Sequence, residues 1–237
     1  MPRQTDLRFT GRIGNLIFYK IDETYYMRGA PGKIKQTAAT KKRSTEFGKA
    51  SRTGSRLRRQ LFPVIPFPKD NKMQTRLVTA LYTWFRKGYD PLKPCVAVPF
   101  LERYQFTEES SIKERWWVDL QVSQPATNML ELKIPAFVPT RNIIAPAGTK
   151  KIKCVIATAG CNVETGAHTH GTSTTILYDY NQLEVPEQIV SLPTPTPKGS
   201  LVVTAVGLEF ICTKGGYFER VIKKGFHPSG ILSAMYF

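Results

Sequence analysis

Few residues in this sequence have types and spacing suited to chemistry. His168 and His170 stand two apart, so on a strand both side chains point to one face, and Cys161 is close enough in the chain to join them as a third ligand. Such a donor set would be zinc chemistry. The competing reading is a polar hairpin tip, GAHTHGT, and the sequence favours it: closed zinc sites bring a second ligand pair, and the chain has no CxxC and no HxxxH. His227 is followed by Pro228 and has no partner in the pattern. Nucleophilic catalysis would need a Ser or Cys on a recognisable turn, but no G-x-S-x-G is present, nor a P-loop, nor G-x-G-x-x-G after a strand. Glu108 and Glu109 are adjacent acids without an apolar pocket signal, which reads as a solvated loop rather than an acid pair. The expectation is a protein that is not an enzyme, with no catalytic residues, no metal site and no cofactor.

What the sequence does concentrate is positive charge. Residues 1–87 hold 20 Lys+Arg against 5 Asp+Glu, whereas residues 88–237 hold 14 against 13. The densest part, 33–59, has ten basic residues and the single acid Glu46. At helical spacing Lys42, Lys49, Arg52, Arg56 and Arg59 fall on one arc, and Phe47, Ala50, Gly54, Leu57 and Leu61 on the opposite one. A solvated helix face normally mixes both signs for i,i+4 pairing, and here Glu46 alone does so. The stripe therefore reads as a contact for an anionic surface, either nucleic acid or an acidic protein, along about 25 Å of helix. Aromatics interleaved for base stacking are absent from this helix, which favours the acidic protein surface.

These residues need elements to hold them. Residues 15–21 (NLIFYKI) and 24–28 (TYYMR) flank Asp22-Glu23 and predict a β-hairpin carrying Leu16, Phe18, Tyr19, Tyr25 and Tyr26, with Gly11 and Gly14 before it as breaks. Two strands cannot bury enough surface to stand alone, so this hairpin must pair or pack elsewhere, and it becomes the candidate assembly element. Residues 40–61 predict the basic amphipathic helix. Gly48 and Gly54 each cost about 1 kcal/mol inside it, and the Ala50/Gly54 spacing invites close approach by a neighbour, a second argument for assembly. A proline-rich connector, 62–68 (FPVIPFP), leads to a second helix over 71–87, capped by Asp70 or Asn71 and stopped by Gly88, with Met73, Leu77, Ala80, Leu81 and Trp84 on one face.

Residues 89–115 give no clear pattern. Beyond them strands are predicted at 116–122, 129–134, 150–158, 172–180, 187–191, 201–211, 217–223 and 231–237, with 193–197 (PTPTP) as an extended connection. Alternation sets Lys151, Lys153 and Val155 against Ile152, Cys154 and Ile156. The fold class that follows is α+β: a basic hairpin and helix-pair module (1–88), a connecting segment (89–115), and an antiparallel β-sandwich, Ig-like or jelly-roll-like (116–237).

Composition sets the outer bounds. With 41% hydrophobic residues the 237-residue chain has enough apolar side chains for a core, so wholesale disorder is excluded. No fixed repeat recurs. The longest apolar run, 201–212, is broken by Thr204, Gly207 and Glu209, so no membrane span is expected. The first residues lack an apolar signal segment, which makes synthesis for the cytoplasm the expectation. Cys95, Cys154, Cys161 and Cys212 are spread as reduced, packed thiols would be.

Residues 11–20 (GRIGNLIFYK), 45–50 (TEFGKA), 54–58 (GSRLR) and 134–139 (IPAFVP) before Ala145-Pro146 occur in one order over the first two-thirds of the chain. In these segments the sequence resembles a family of uncharacterised proteins widespread in Bacteroidota. The resemblance implies no active site and no cofactor. Taken together, the reading is a structural subunit that forms a homo-oligomer or polymer, or docks into a larger particle such as a phage-like or cell-associated filament or shell. The alternative is a nucleic-acid-binding accessory protein, and the minor alternative a metal-dependent enzyme. On the metal question, zinc analysis of the purified protein is expected to give well under one equivalent, and the His168→Ala/His170→Ala double variant to melt almost unchanged; stoichiometric zinc or a collapsed variant contradicts this.

Overall fold

The computed structural model describes residues 8–32, 36–66, 70–93, 96–102, 104–169, 171–214, 217–222 and 224–237. Cys95, His170 and the Phe67-Pro68 end of the proline-rich connector lie outside the described residues. The chain divides into two compact units, Met1–Arg43 and Ser44–Phe237.

In the first unit, β1 (Gly11–Ile13), β2 (Leu16–Ile21) and β3 (Thr24–Gly29) form an antiparallel meander. The expected hairpin is β2–β3, and Asp22 takes a φ of 51° at its tip, the left-handed conformation that Asp tolerates in a tight turn. The glycines read as breaks instead build a third strand: Gly11 opens β1, and Gly14, at φ 56°, turns it back onto β2. None of the residues in these strands is buried. α1 (Ala38–Gln60) begins in this unit, where the Thr40 backbone N–H donates to Thr37 Oγ1 at 3.2 Å as an N-cap, and continues into the second.

The second unit holds α2 (Met73–Lys87), β4 (Val96–Ala97), α3 (Ile112–Arg115), β5 (Gln121–Ala126), β6 (Met129–Ile134), α4 (Pro139–Asn142), β7 (Thr149–Asn162), β8 (His168–Thr169), β9 (Ser173–Asp179), β10 (Gln188–Pro193), β11 (Ser200–Lys214), β12 (Tyr217–Arg220) and β13 (Ser229–Tyr236). α2 starts later than expected, with Lys72 and not Asp70 or Asn71 at its N-cap and no side-chain capping bond; Asp70 lies just before it, accepts the Lys72 N–H at 2.7 Å and pairs with Arg76. One antiparallel sheet runs β4-β13-β11-β7-β8, with β12 added to β11 and β9 to β7; a second, three-stranded, runs β10-β6-β5. The first predicted strand starts later than expected. Trp116 makes only an isolated bridge to Ile143, and β5 begins at Gln121.

The packing is layered. Leu130, Leu132, Ile134 and Leu192 of the small sheet share a core with Ile152, Cys154 and Ile156 of β7 and Val202, Val206, Leu208 and Phe210 of β11. Two antiparallel sheets packed across one core agree with an α+β reading of mostly β character. On the opposite face, Val155, Ala157, Ala159 and Cys161 of β7 and Leu201, Val203 and Ala205 of β11 pack with Ala50, Leu57 and Leu61 of α1 and with Leu77, Leu81 and Trp84 of α2. Val155 is thus buried, not turned to solvent with Lys151 and Lys153, because the helix pair covers that face.

This layering corrects the expected division of the chain. The helix pair is not part of a separate 1–88 module, since its apolar faces have no core except the one they share with the large sheet. The 89–115 segment is not a mere connector either: it supplies β4 to the edge of that sheet, and Val98, Leu101 and Phe106 to the helix-side core.

Gly54 explains the close helix approach. A Cβ built there would lie 3.2 Å from Leu81 Cδ1 and 3.3 Å from Val78 Cγ2, so the neighbour is α2 of the same chain and not another subunit. Gly48 faces open space. Gly54→Leu is therefore expected to destabilise by about 1–3 kcal/mol through overpacking, whereas Gly48→Ala should stabilise by about 0.5–1 kcal/mol through helix propensity. Urea unfolding of both variants checks this; equal effects would mean that α1 and α2 do not meet at Gly54.

Candidate functional site

The basic arc of α1 is divided by the packing of the helix. Ala50, Gly54 and Leu57 are buried in the seam, but Phe47 stays 54% exposed, its ring edge against Tyr82 at 5.9 Å. Lys42, Arg52 and Arg59 are exposed, and the Arg52 Nε donates to its own helix at Gly48 O, 3.2 Å away. Lys49 and Arg56, at the border of the arc, reach the loop after β7. Lys49 Nζ donates to Glu164 Oε2 at 2.7 Å, and Tyr89 Oη donates to Glu164 Oε1 at 2.9 Å. These bonds, that from Lys49 foremost, hold the Glu164 carboxyl below its ordinary value. The Arg56 guanidinium occupies the space over Gly166, where a Cβ would collide with it. So two of the five cations are engaged inside the chain, and three present charge to solvent.

Aromatic and cationic side chains meet instead on the N-terminal sheet. Register places Tyr19 opposite Tyr26, Ile17 opposite Arg28 and Arg12 opposite Ile17, so these residues share one face with Ile21. Tyr19 and Tyr26 stack at 5.8 Å with 23° between ring planes, and the Arg28 guanidinium lies 5.6 Å from the Tyr19 centroid. The other face carries Ile13, Leu16, Phe18, Tyr25 and Met27, with Lys20 and Arg8 at 5.6 and 5.7 Å from the Tyr25 ring. Phe9 meets Phe18 edge-on at 5.8 Å. The aromatic residues stand out in the sequence, whereas Arg8, Arg12, Lys20 and Arg28 do not. Lys20 stands two residues after Phe18 and Arg28 two after Tyr26, a signal of a shared strand face, but Arg8 and Arg12 gave none because β1 was not expected.

Register also sets His168 directly opposite Cys161, as a shared metal site would require. Cys161 is buried, and burial pushes its thiol up, with Arg56 pulling the other way. Among the described residues there is no group of three His, Cys, Asp or Glu side chains arranged to hold a metal. His227 and Ser229 are both buried, and neither side chain has a hydrogen-bond partner, so they do not form the nucleophile–base relay that covalent catalysis uses. Glu209 is engaged with Lys153 and Arg220, each at 3.3 Å. A cleft of about 180 Å³ lies between Gln105, Lys113, Trp116, Asp119 and β13. That is below the ~300 Å³ of usual ligand pockets, and the 89–115 stretch gave no sequence signal for it. Among the described residues no helix is long and apolar enough to cross a membrane. The sequence matches no protein-family model and no curated protein.

Burial, with Arg220 adding to it and Glu209 opposing it, holds the His227 imidazole below its ordinary value. The unfolded chain binds a proton at this residue as pH falls through about 6.5, while the folded chain resists until its lower value. His227 thus contributes stability that is full above about pH 6.5 and is lost on acidification. Melting curves between pH 7.5 and 5 should show a steeper fall for the wild type than for His227→Gln; parallel curves would show that His227 does not titrate differently in the two states.

Proposed function

We propose that this protein is a non-enzymatic structural subunit that self-assembles, or docks into a larger particle such as a phage-like or cell-associated filament or shell. In this reading the two-sheet body, Ig-like or jelly-roll-like, is the rigid part, and the N-terminal unit makes the intersubunit or polyanion contacts. Membership of the Bacteroidota family it resembles belongs to the same proposal.

One observation carries the reading. The β1–β3 sheet has no buried residue, yet it displays Ile13 at 60% and Leu16 at 42% exposure on its apolar face beside Phe9 and Phe18. A three-stranded sheet with no buried residue leaves its apolar face in water, and burying that face against a second copy supplies a core for it. The Ala50/Gly54 spacing no longer supports assembly, because α2 fills it.

Size-exclusion chromatography with light scattering, run on nuclease-treated protein, tests the reading. The wild type is expected as a dimer or larger at micromolar concentration, and Ile13→Ser/Leu16→Ser as a monomer with an unchanged melting temperature for the body. A wild-type monomer with β2–β3 ordered would falsify the proposal.

A further inference from the structure

We propose that the Tyr19/Tyr26 face of the N-terminal sheet binds single-stranded nucleic acid. The inference deepens the reading of the N-terminal unit as the contact module and rests on that reading only there. It names a partner for the face opposite Ile13 and Leu16.

Chemistry selects the partner. The face joins a stacked tyrosine pair to Arg12 and Arg28, both exposed, with Arg28 lying over Tyr19. Aromatic surface for bases beside cations for the backbone is the combination that single strands recognise. No acid sits on this face within the strands: Asp22 and Glu23 are confined to the β2–β3 tip, where Glu23 pairs with Lys20 at 3.0 Å. The same unit continues into Lys41, Lys42 and Arg43, which are exposed at the start of α1. A duplex keeps its base faces stacked inside and offers the tyrosines nothing.

A second copy does not suit this face. Residues 1–43 carry 10 Lys+Arg against 3 Asp+Glu, and residues 44–237 carry 24 against 15, so each unit of another copy is net positive. Of the fifteen acids in residues 44–237, Glu164, Glu187 and Glu209 are paired with Lys49, Lys133 and Lys153. The charge on the tyrosine face thus calls for a polyanion from outside the chain. On the Ile13/Leu16 face Lys20 is paired with Glu23 and Arg8 lies over Tyr25, and the apolar side chains beside them serve contacts between copies.

The test is fluorescence anisotropy on the full chain with labelled oligo(dT) of about 16 nucleotides, a duplex of the same length, and polyglutamate as competitor. Oligo(dT) is expected to bind at least tenfold more tightly than the duplex, with log K falling by about 0.7 per phosphate contact against log salt. Tyr19→Leu/Tyr26→Leu should lose about tenfold or more in affinity at fixed salt with the slope kept, while Tyr19→Phe/Tyr26→Phe, which keeps the rings, should bind like wild type. Arg12→Gln/Arg28→Gln should instead flatten the slope. Ile13→Ser/Leu16→Ser should retain binding whether or not it assembles, which separates failure of this inference from failure of the assembly reading. The inference is overturned if the duplex binds as tightly as the strand, if polyglutamate displaces the strand at equal charge, marking an acidic-protein surface, or if the Leu variant binds like wild type.

Discussion

The structure depends on the pairing of β7 with β11, two long antiparallel strands in register from Ser200 opposite Asn162 to Ile211 opposite Lys151. From Ile152 to Cys161 every residue of β7 but Lys153 is buried, on one face against the helix pair and on the other against the small sheet. A strand buried on both faces has no polar side to offer, which is why β7 and β11 read as near-continuous apolar runs. Some of the polar groups that enter this zone are bonded, while the buried Ser200 Oγ of β11 and Ser229 Oγ of β13 have no hydrogen-bond partner. Thr158 Oγ1 and Thr194 Oγ1 lie 2.8 Å apart, and the Gln60 side-chain amide both donates to Gly160 O at 3.0 Å and accepts from Gly160 N–H at 3.2 Å, tying the end of α1 to β7.

That use of both faces decides where function is sought. The body packs a core on each face of β7 and β11, pushes the buried Cys154 thiol up to about 12, and has a cleft of about 180 Å³, while Leu92, Leu183, Tyr217 and Phe218 stay exposed on its surface. The N-terminal sheet is the opposite case: apolar and aromatic residues on both faces, cations among them, and no interior. In the proposed reading, the body is the rigid part of a subunit and the coreless basic sheet makes its contacts, one face toward copies and one toward a polyanion.

Much of this was legible in the residues, for local reasons. The β6 boundaries 129–134 were read as they stand, because alternation and flanking turn residues are local signals. The α1 seam through Ala50, Gly54 and Leu57 was equally visible, and so was the aromatic hairpin. What failed to show depends on distant partners. β4 has two residues and exists only through Tyr236 and Met235. Glu164 lies 115 positions from Lys49, so a search for acids along the helix could not find the partner that removes Lys49 from the basic stripe. Val155 looked exposed because nothing in β7 itself announces that helices cover its second face. Arg12 and Arg28 joined the tyrosines only once register put them on one side.

The central claim is that stability is concentrated in the doubly buried strand pair and absent from the N-terminal sheet until a partner covers it. Amide hydrogen exchange on the full chain, at dilution and again under assembling or oligonucleotide-saturated conditions, measures this directly. Slow exchange throughout 152–161 and 201–210, with fast exchange in 16–29 at dilution that slows on assembly or binding, is the predicted result. Protection of 16–29 at dilution equal to that of 152–161 would contradict the account, because it would mean that the sheet is stable without a partner.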